Sequence, residues 1–184
     1  MASNSGERIN ESIRLELESA RISFHTLLDS LSEEDLRAKS NNPGWTNGEI
    51  LFHMTLGFII VARLLPLAKF FSHLPKGYSR AFAWMLNAMT APFNWINAAG
   101  VRGGGRIYNG KKIGRKFDKV MDGLLKKLTG VKDNEWQSGM YYPTKWDALF
   151  SEFMTIEKLF QYPVTHFRFH IKQISSGINQ LPQK

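Results

Sequence analysis

Apolar residues recur at steps of three and four through most of this chain, and that period restricts the fold to helices packed on one another. Ile9, Ile13, Leu17, Ala20, Phe24, Leu27 and Leu31 form one stripe of a 3.6-residue helix, with Arg14, Glu18 and Arg21 off it. The spacing predicts a first helix over about 7–30. Ser32-Glu33-Glu34-Asp35 predicts a short further turn, because acids are favourable at a helix N-terminus, and Asn41-Asn42-Pro43-Gly44 breaks the chain. A second helix is expected after an N-cap at Thr46 or Asn47, with Glu49 in its first turn. Its inward line is Ile50, His53, Gly57, Ile60 and Leu64, and Pro66 is expected to end or kink it. Ile113, Phe117, Val120, Leu124, Leu125 and Leu128 mark a third helix with Gly130 at its stop. The last, about 155–176, carries Ile156, Leu159, Pro163, His166, His170 and Ile174 on one face. Pro163 either kinks it or opens a second segment. Tyr141 to Trp146 reads as an aromatic loop or a single extended piece. The fold class is all-α.

Between the second and third of these helices, about 65–110 forms an excursion. No charge occurs from Ala81 to Val101, which raises the question of a membrane span. Asn87, Thr90, Pro92, Asn94 and Asn97 argue against one, being costly or disruptive in lipid. The expectation is a helical excursion covering one end of the bundle, within a single domain over 1–184. Its uncharged surface also suits a homodimer contact. From Val101 to Lys132, ten Arg and Lys face only Asp118 and Asp122, so this stretch holds the chain's whole net charge of +8. A solvated face is the plain reading. The sharper one is that Arg102, Arg106, Lys111 and Lys112, beside Gly103-Gly104-Gly105, attract an anionic substrate such as a carboxylate-rich thiol. The glycine triplet matches neither phosphate-loop pattern. Basic charge without a recognised motif gives only non-specific attraction to nucleic acid.

With 184 residues and no cysteine, the chain can bury a core but has no disulfide, thiolate ligand or cysteine nucleophile. Any metal is held through nitrogen or oxygen. The polar first ten residues carry no apolar stretch of signal-peptide type, so a cytoplasmic location is the expectation.

His166 and His170 stand four apart, one helical turn above each other on the core seam with Leu159 and Ile174. Two buried imidazoles without partners are costly, and one metal ion satisfies both. His53, on the inward line of the second helix, supplies a third nitrogen. Three protein ligands with an open position is the arrangement of catalytic zinc. His25 reads as a partly buried structural residue and His73 as a surface residue at a helix end.

Pro43-Gly44-Trp45-Thr46-Asn47-Gly48-Glu49-Ile50-Leu51-Phe52-His53 resembles the segment of DinB-like (DinB/YfiT) proteins in which a tryptophan opens the second helix and a histidine ends the motif. The stretch His166-Phe167-Arg168-Phe169-His170-Ile171-Lys172-Gln173-Ile174 resembles that family's last-helix signature, H-x-x-x-H-x-x-Q-I. The likeness covers roughly 7–61 and 147–174. It implies a four-helix bundle in which the three histidines hold a divalent ion, zinc or nickel. It also implies metal-dependent chemistry, thiol S-transfer in several members and hydrolysis in others, with no known reaction in many. The uncharged excursion and the basic segment depart from a compact member.

A metal held by neutral imidazoles yields a nucleophile near neutral pH from water or a small thiol. No general base stands out. Glu49 is either an acid of the first helical turn or a carboxylate that orients a ligand, and Gln173 either bonds near the site or caps the core edge. Asp147 and Glu152 are available, though their spacing does not recommend them. Two further readings stay open: a non-catalytic metal- or ligand-binding bundle, and a protein that contacts anionic lipid through the excursion and the basic segment.

Overall fold

The computed structural model describes residues 3–108 and 110–175. Among them lie seven α-helices and two short strands. Helices α1 (Ser3–Asp29), α3 (Asn47–Ser72), α6 (Lys111–Leu128) and α7 (Ile156–Ile171) make a four-helix bundle. The short α2 (Glu33–Arg37) and the pair α4 (Lys76–Ala88) and α5 (Thr90–Ile107) sit between them in sequence.

The stripes predicted from spacing are the buried faces. Ile13, Leu17 and Phe24 from α1 meet Met54, Phe58 and Val61 from α3, Phe117 and Leu124 from α6, and Leu159 from α7. Phe24 stacks flat on Phe117 with centroids 4.0 Å apart, and Phe58 meets the same ring edge-on. Burying each such side chain is worth about 1.5–3 kcal/mol, which makes these contacts the main source of the bundle's stability. Polar contacts set direction. Asn10 donates to the Leu128 carbonyl while His25 bonds Asp118, so α1 and α6 run antiparallel.

Neither proline ends or opens a helix, which leaves a kink as the surviving alternative at each. α3 continues through Pro66 and α7 through Pro163. Losing a backbone bond at an interior proline costs about 3 kcal/mol. Packing on both sides of it, by Leu65 and Ala68 in α3 and by Tyr162 and Val164 in α7, holds each helix together. α7 ends at Ile171, earlier than the expected boundary, and Ser176 lies outside the described residues. The extended piece is Gly139–Tyr141, which pairs antiparallel with Phe153–Thr155, Met140 opposite Met154. The rest of the aromatic stretch is loop.

The uncharged stretch divides between α4 and α5, so no single helix covers it. Instead of capping an end, α5 lies lengthwise on α3. Gly104 admits the Phe52 ring where any β-carbon would clash, and Gly105 sits against Glu49. Two of the three glycines, Gly104 and Gly105, therefore serve close helix packing, while Gly103 faces open space. α3 itself is long and apolar enough to cross a membrane, but half of that window is buried inside the bundle.

Candidate metal centre

Local capping sets where His53 falls. The Thr46 hydroxyl accepts from the Glu49 N–H at 3.3 Å, and the Glu49 carboxylate accepts from the Thr46 N–H at 2.9 Å. This reciprocal cap fixes the start of α3 and commits Glu49 to the helix terminus. Trp45 enters the helix with its ring 4.7 Å from that of His53. Across the interface α7 runs antiparallel, bringing His166 beside Gly57 and His170 beside His53.

The three imidazoles converge. One ring nitrogen from each of His53, His166 and His170 lies within 4.8 Å of the others. Nε2 of His53 and Nε2 of His170 are 3.2 Å apart. Two nitrogens bound tetrahedrally to one zinc, each about 2.0–2.1 Å from it, stand roughly 3.3 Å apart, so this pair is already spaced for an ion. The widest separation exceeds that figure, so the third ring has to draw in by a small rotation. His170 Nδ1 donates to Gln173 Oε1 at 2.9 Å, which leaves its Nε2 lone pair free. Gln173 is itself held in place, since its carbonyl accepts from the Asn41 N–H at 2.8 Å.

Charge points the same way. Burial, and then the neighbouring His166 and His170, push the His53 imidazole down to about 3. Burial, and then His170, push His166 down to about 3. His170 is lowered by burial, against the Gln173 bond that favours its protonated form. All three are therefore neutral at pH 7, the state in which imidazole ligates a metal. His53 Nδ1 and His166 Nδ1 are buried without a hydrogen-bond partner. An ion on His53 Nε2 would leave that Nδ1 unpaired, so it is the convergence itself that points to a metal. Three neutral, convergent nitrogen donors fit a divalent ion.

Asp147 adds a carboxylate beside the triad. Its Oδ2 lies 3.9 Å from His166 Nε2 and accepts from the Tyr162 hydroxyl at 2.5 Å, while Oδ1 accepts from the Leu149 N–H at 2.8 Å. Burial and this carboxylate both raise the Tyr162 phenol, so it stays a donor. His53, His166 and Asp147 then form one end of a cavity of about 340 Å³. Its other walls are Leu64 and Leu67 of α3, Phe82 and Leu86 of α4, Phe93 of α5 and the aromatic loop.

The sequence profile of the DinB superfamily matches residues 16–174, from within α1 to just past α7. The chain belongs to the DinB superfamily. No curated protein and no solved structure matches it.

In this DinB-superfamily bundle the three histidines singled out by spacing are brought together, and the other two are not. His25 bonds Asp118 at 2.8 Å on the α1–α6 side, and His73 is the C-cap residue of α3. Gln173 bonds a triad histidine, whereas Glu49 caps a helix. Arg102, Arg106, Lys111 and Lys112 do not line the histidine cavity, where Arg63 is the one cation among the described residues. Asp147 was available in the sequence but not recommended by its spacing, and Tyr142 and Tyr162 escaped the sequence reading of the site. Tyr162, four residues before His166, carried a signal at helical spacing; the two loop residues carried none.

Proposed function

We propose that this chain holds a divalent ion, zinc or nickel, at His53, His166 and His170, and that it is an enzyme activating water or a small thiol there. The observation supporting this best is the convergence of three neutral imidazoles, two of which, His53 and His166, line one end of a mainly apolar cavity, as catalytic sites commonly do. A divalent ion held by these three imidazoles would supply Lewis acidity, which would lower the pKa of a water toward about 7. The protein's own groups supply position. Gln173 fixes the tautomer of His170, Gly57 leaves room for the His166 ring, and Asp147 is placed to accept a hydrogen bond from the head of a bound molecule. Apolar walls exclude water from the reacting end.

The test is metal content by mass spectrometry on protein purified without a histidine tag, beside a His53/His166/His170 triple-alanine variant. Near-stoichiometric metal in the parent, lost in a folded variant, is the expected result, followed by turnover of thiol, ester or amide test substrates. Negligible metal in both after incubation with zinc or nickel overturns the proposal. Stoichiometric metal with every test substrate left intact favours a non-catalytic binding bundle.

A second reading rests on a separate surface. Trp84 on α4 and Trp95 on α5 are each 74% exposed, with Ile96 on α5 and Met89 at the junction of the two helices also exposed. Large aromatic residues beside a basic segment are the composition of a surface that lies on anionic lipid. Co-sedimentation with anionic liposomes at low salt, lost with added salt and in a Trp84→Ser/Trp95→Ser variant, is its expected outcome. Failure to bind at low salt removes it.

A further inference from the structure

The histidine cavity is elongated, and its walls define a substrate class. Residues lining it on α3 run from His53 to Leu67, fourteen positions, or about 21 Å of helix axis at 1.5 Å per residue. Its volume of about 340 Å³ falls within the usual range for small-molecule sites, about 300–1,000 Å³. His53, His166 and Asp147 meet at one end, while Arg63 and Asn97 line the cavity elsewhere. Beyond the histidine end Ile60, Leu64, Leu67, Phe82, Leu86 and Phe93 make the walls.

These walls are fixed in place. Trp146 donates from Nε1 to the Leu86 carbonyl at 2.8 Å and stacks on Phe93 with centroids 3.9 Å apart. The Lys145 N–H donates to Asn87 Oδ1 at 3.0 Å. Loop and excursion are thus latched to each other over the bundle. The excursion, which a bundle of four helices does not need for its core, supplies one side of the cavity.

Besides the Nδ1 atoms of His53 and His166, one polar group among the described lining residues lacks a partner. Tyr142 is 3% exposed and lines the cavity, and its hydroxyl makes no hydrogen bond. A buried hydroxyl left unpaired is costly, and such groups are seldom tolerated without a role. The hydroxyl is closed off as it stands, and a shift of the ring that turned it to a ligand oxygen in the cavity would pair it.

We propose that the cavity takes a narrow, mainly apolar substrate of medium chain length, about ten carbons, with an acceptor oxygen near its head that receives the Tyr142 hydroxyl proton in a hydrogen bond. The head lies at the histidine end and the chain lies along α3 under α4 and α5. A charge-rich hydrophilic thiol does not match these walls as the body of the substrate, although a small thiol can still act as the attacking partner. This rests on the metal-centre reading only for where reaction occurs; the shape and the apolar walls stand without it.

The experiment titrates 1-alkanols from butanol to decanol into the full chain, metal-free and zinc-loaded, with binding followed by calorimetry. Affinity is expected to rise about three- to fourfold per added methylene, the gain from burying each one, and to do so in both forms. Ile60→Trp and, independently, Leu64→Trp fill the cavity and are expected to abolish binding of octanol while leaving zinc stoichiometry at the parent value. Tyr142→Phe is expected to weaken octanol binding about two- to tenfold. Affinity that does not grow with chain length in the parent overturns the proposal, and that result needs no variant. Zinc binding without chain-length dependence sinks this inference alone. Chain-length dependence without zinc binding upholds it and sinks the metal proposal.

Discussion

A β-carbon added at Gly57 would stand 2.8 Å from Nδ1 of His166. The helix that carries His53 lacks a side chain one turn further on, and this makes room for the His166 ring. Gly57→Ala is therefore expected to push the His166 ring off its position and lower zinc affinity about tenfold or more, the scale seen when a ligand's support is disturbed. Fold stability should change much less. A gain of about 1 kcal/mol in helix propensity opposes about 1–3 kcal/mol of overpacking. Competition with a chelating dye measures the first and urea unfolding the second. Unchanged zinc affinity would mean that His166 does not ligate.

Gln173 offers a cleaner case, since it touches His170 from outside the cavity. Replacing it with leucine removes the acceptor that keeps the proton on Nδ1 and the lone pair on Nε2. Zinc affinity is expected to fall about 10- to 100-fold, with Gln173→Glu retaining or strengthening it. Equal losses in both variants would point to simple disruption of the segment after α7.

The bundle was readable because its stripes are local: Ile13, Leu17 and Phe24 alternate at helical spacing whatever they meet. The two capping boxes were readable for the same reason, as Ser32 with Asp35 and Thr46 with Glu49 lie three residues apart. The histidine pair announced itself by a four-residue step on a buried seam. Pro66 left two outcomes open, an end or a kink, because whether a helix survives a proline depends on tertiary packing of Leu65 and Ala68, which the local sequence does not display. Asp147 and Tyr142 sit in a loop, where no period says which side chain turns inward. Their places come from long-range contacts such as Trp146 with Leu86. Likewise, Gly104 looks like a loop residue until Phe52 is seen against it.

Burial of the triad gives stability a definite pH dependence. His53 and His166 protonate near pH 6.5 in the unfolded chain but only near 3 when folded, so the unfolded state takes up protons first. Their contribution is complete above about pH 6.5 and is lost as pH falls from there toward about 3. In metal-free protein the urea midpoint should therefore drop between pH 6.5 and 4.5, before most carboxylates titrate. The triple-alanine variant should show a flatter profile in that window. Parallel profiles would place the imidazoles in water and remove the argument for a buried neutral donor set.

Tyr162 and Asp147 make the strongest polar link around the cavity, a hydroxyl to a carboxylate at 2.5 Å. Tyr162→Phe deletes that bond and leaves the carboxylate to the Leu149 amide alone. A bond to a charged group is worth about 1.5–3 kcal/mol, and a loss of that size is expected in urea unfolding. A change under about 0.5 kcal/mol would indicate that water replaces the phenol at no cost, and hence that this end of the cavity is wet.

Tyr142 should behave in the opposite sense, and the contrast separates a structural hydroxyl from a ligand-binding one. Its hydroxyl is buried without a partner, so the empty protein bears a desolvation cost with nothing in return. Tyr142→Phe removes the cost and keeps the ring that packs on Phe150. The unliganded variant is expected to be as stable as the parent or more so, by about 1 kcal/mol, with a correspondingly higher thermal midpoint. With saturating octanol the order should narrow or reverse, because only the parent gains the hydrogen bond. A variant less stable than the parent without ligand would show that the hydroxyl already has a partner, such as an ordered water, and would take away its claim on the substrate.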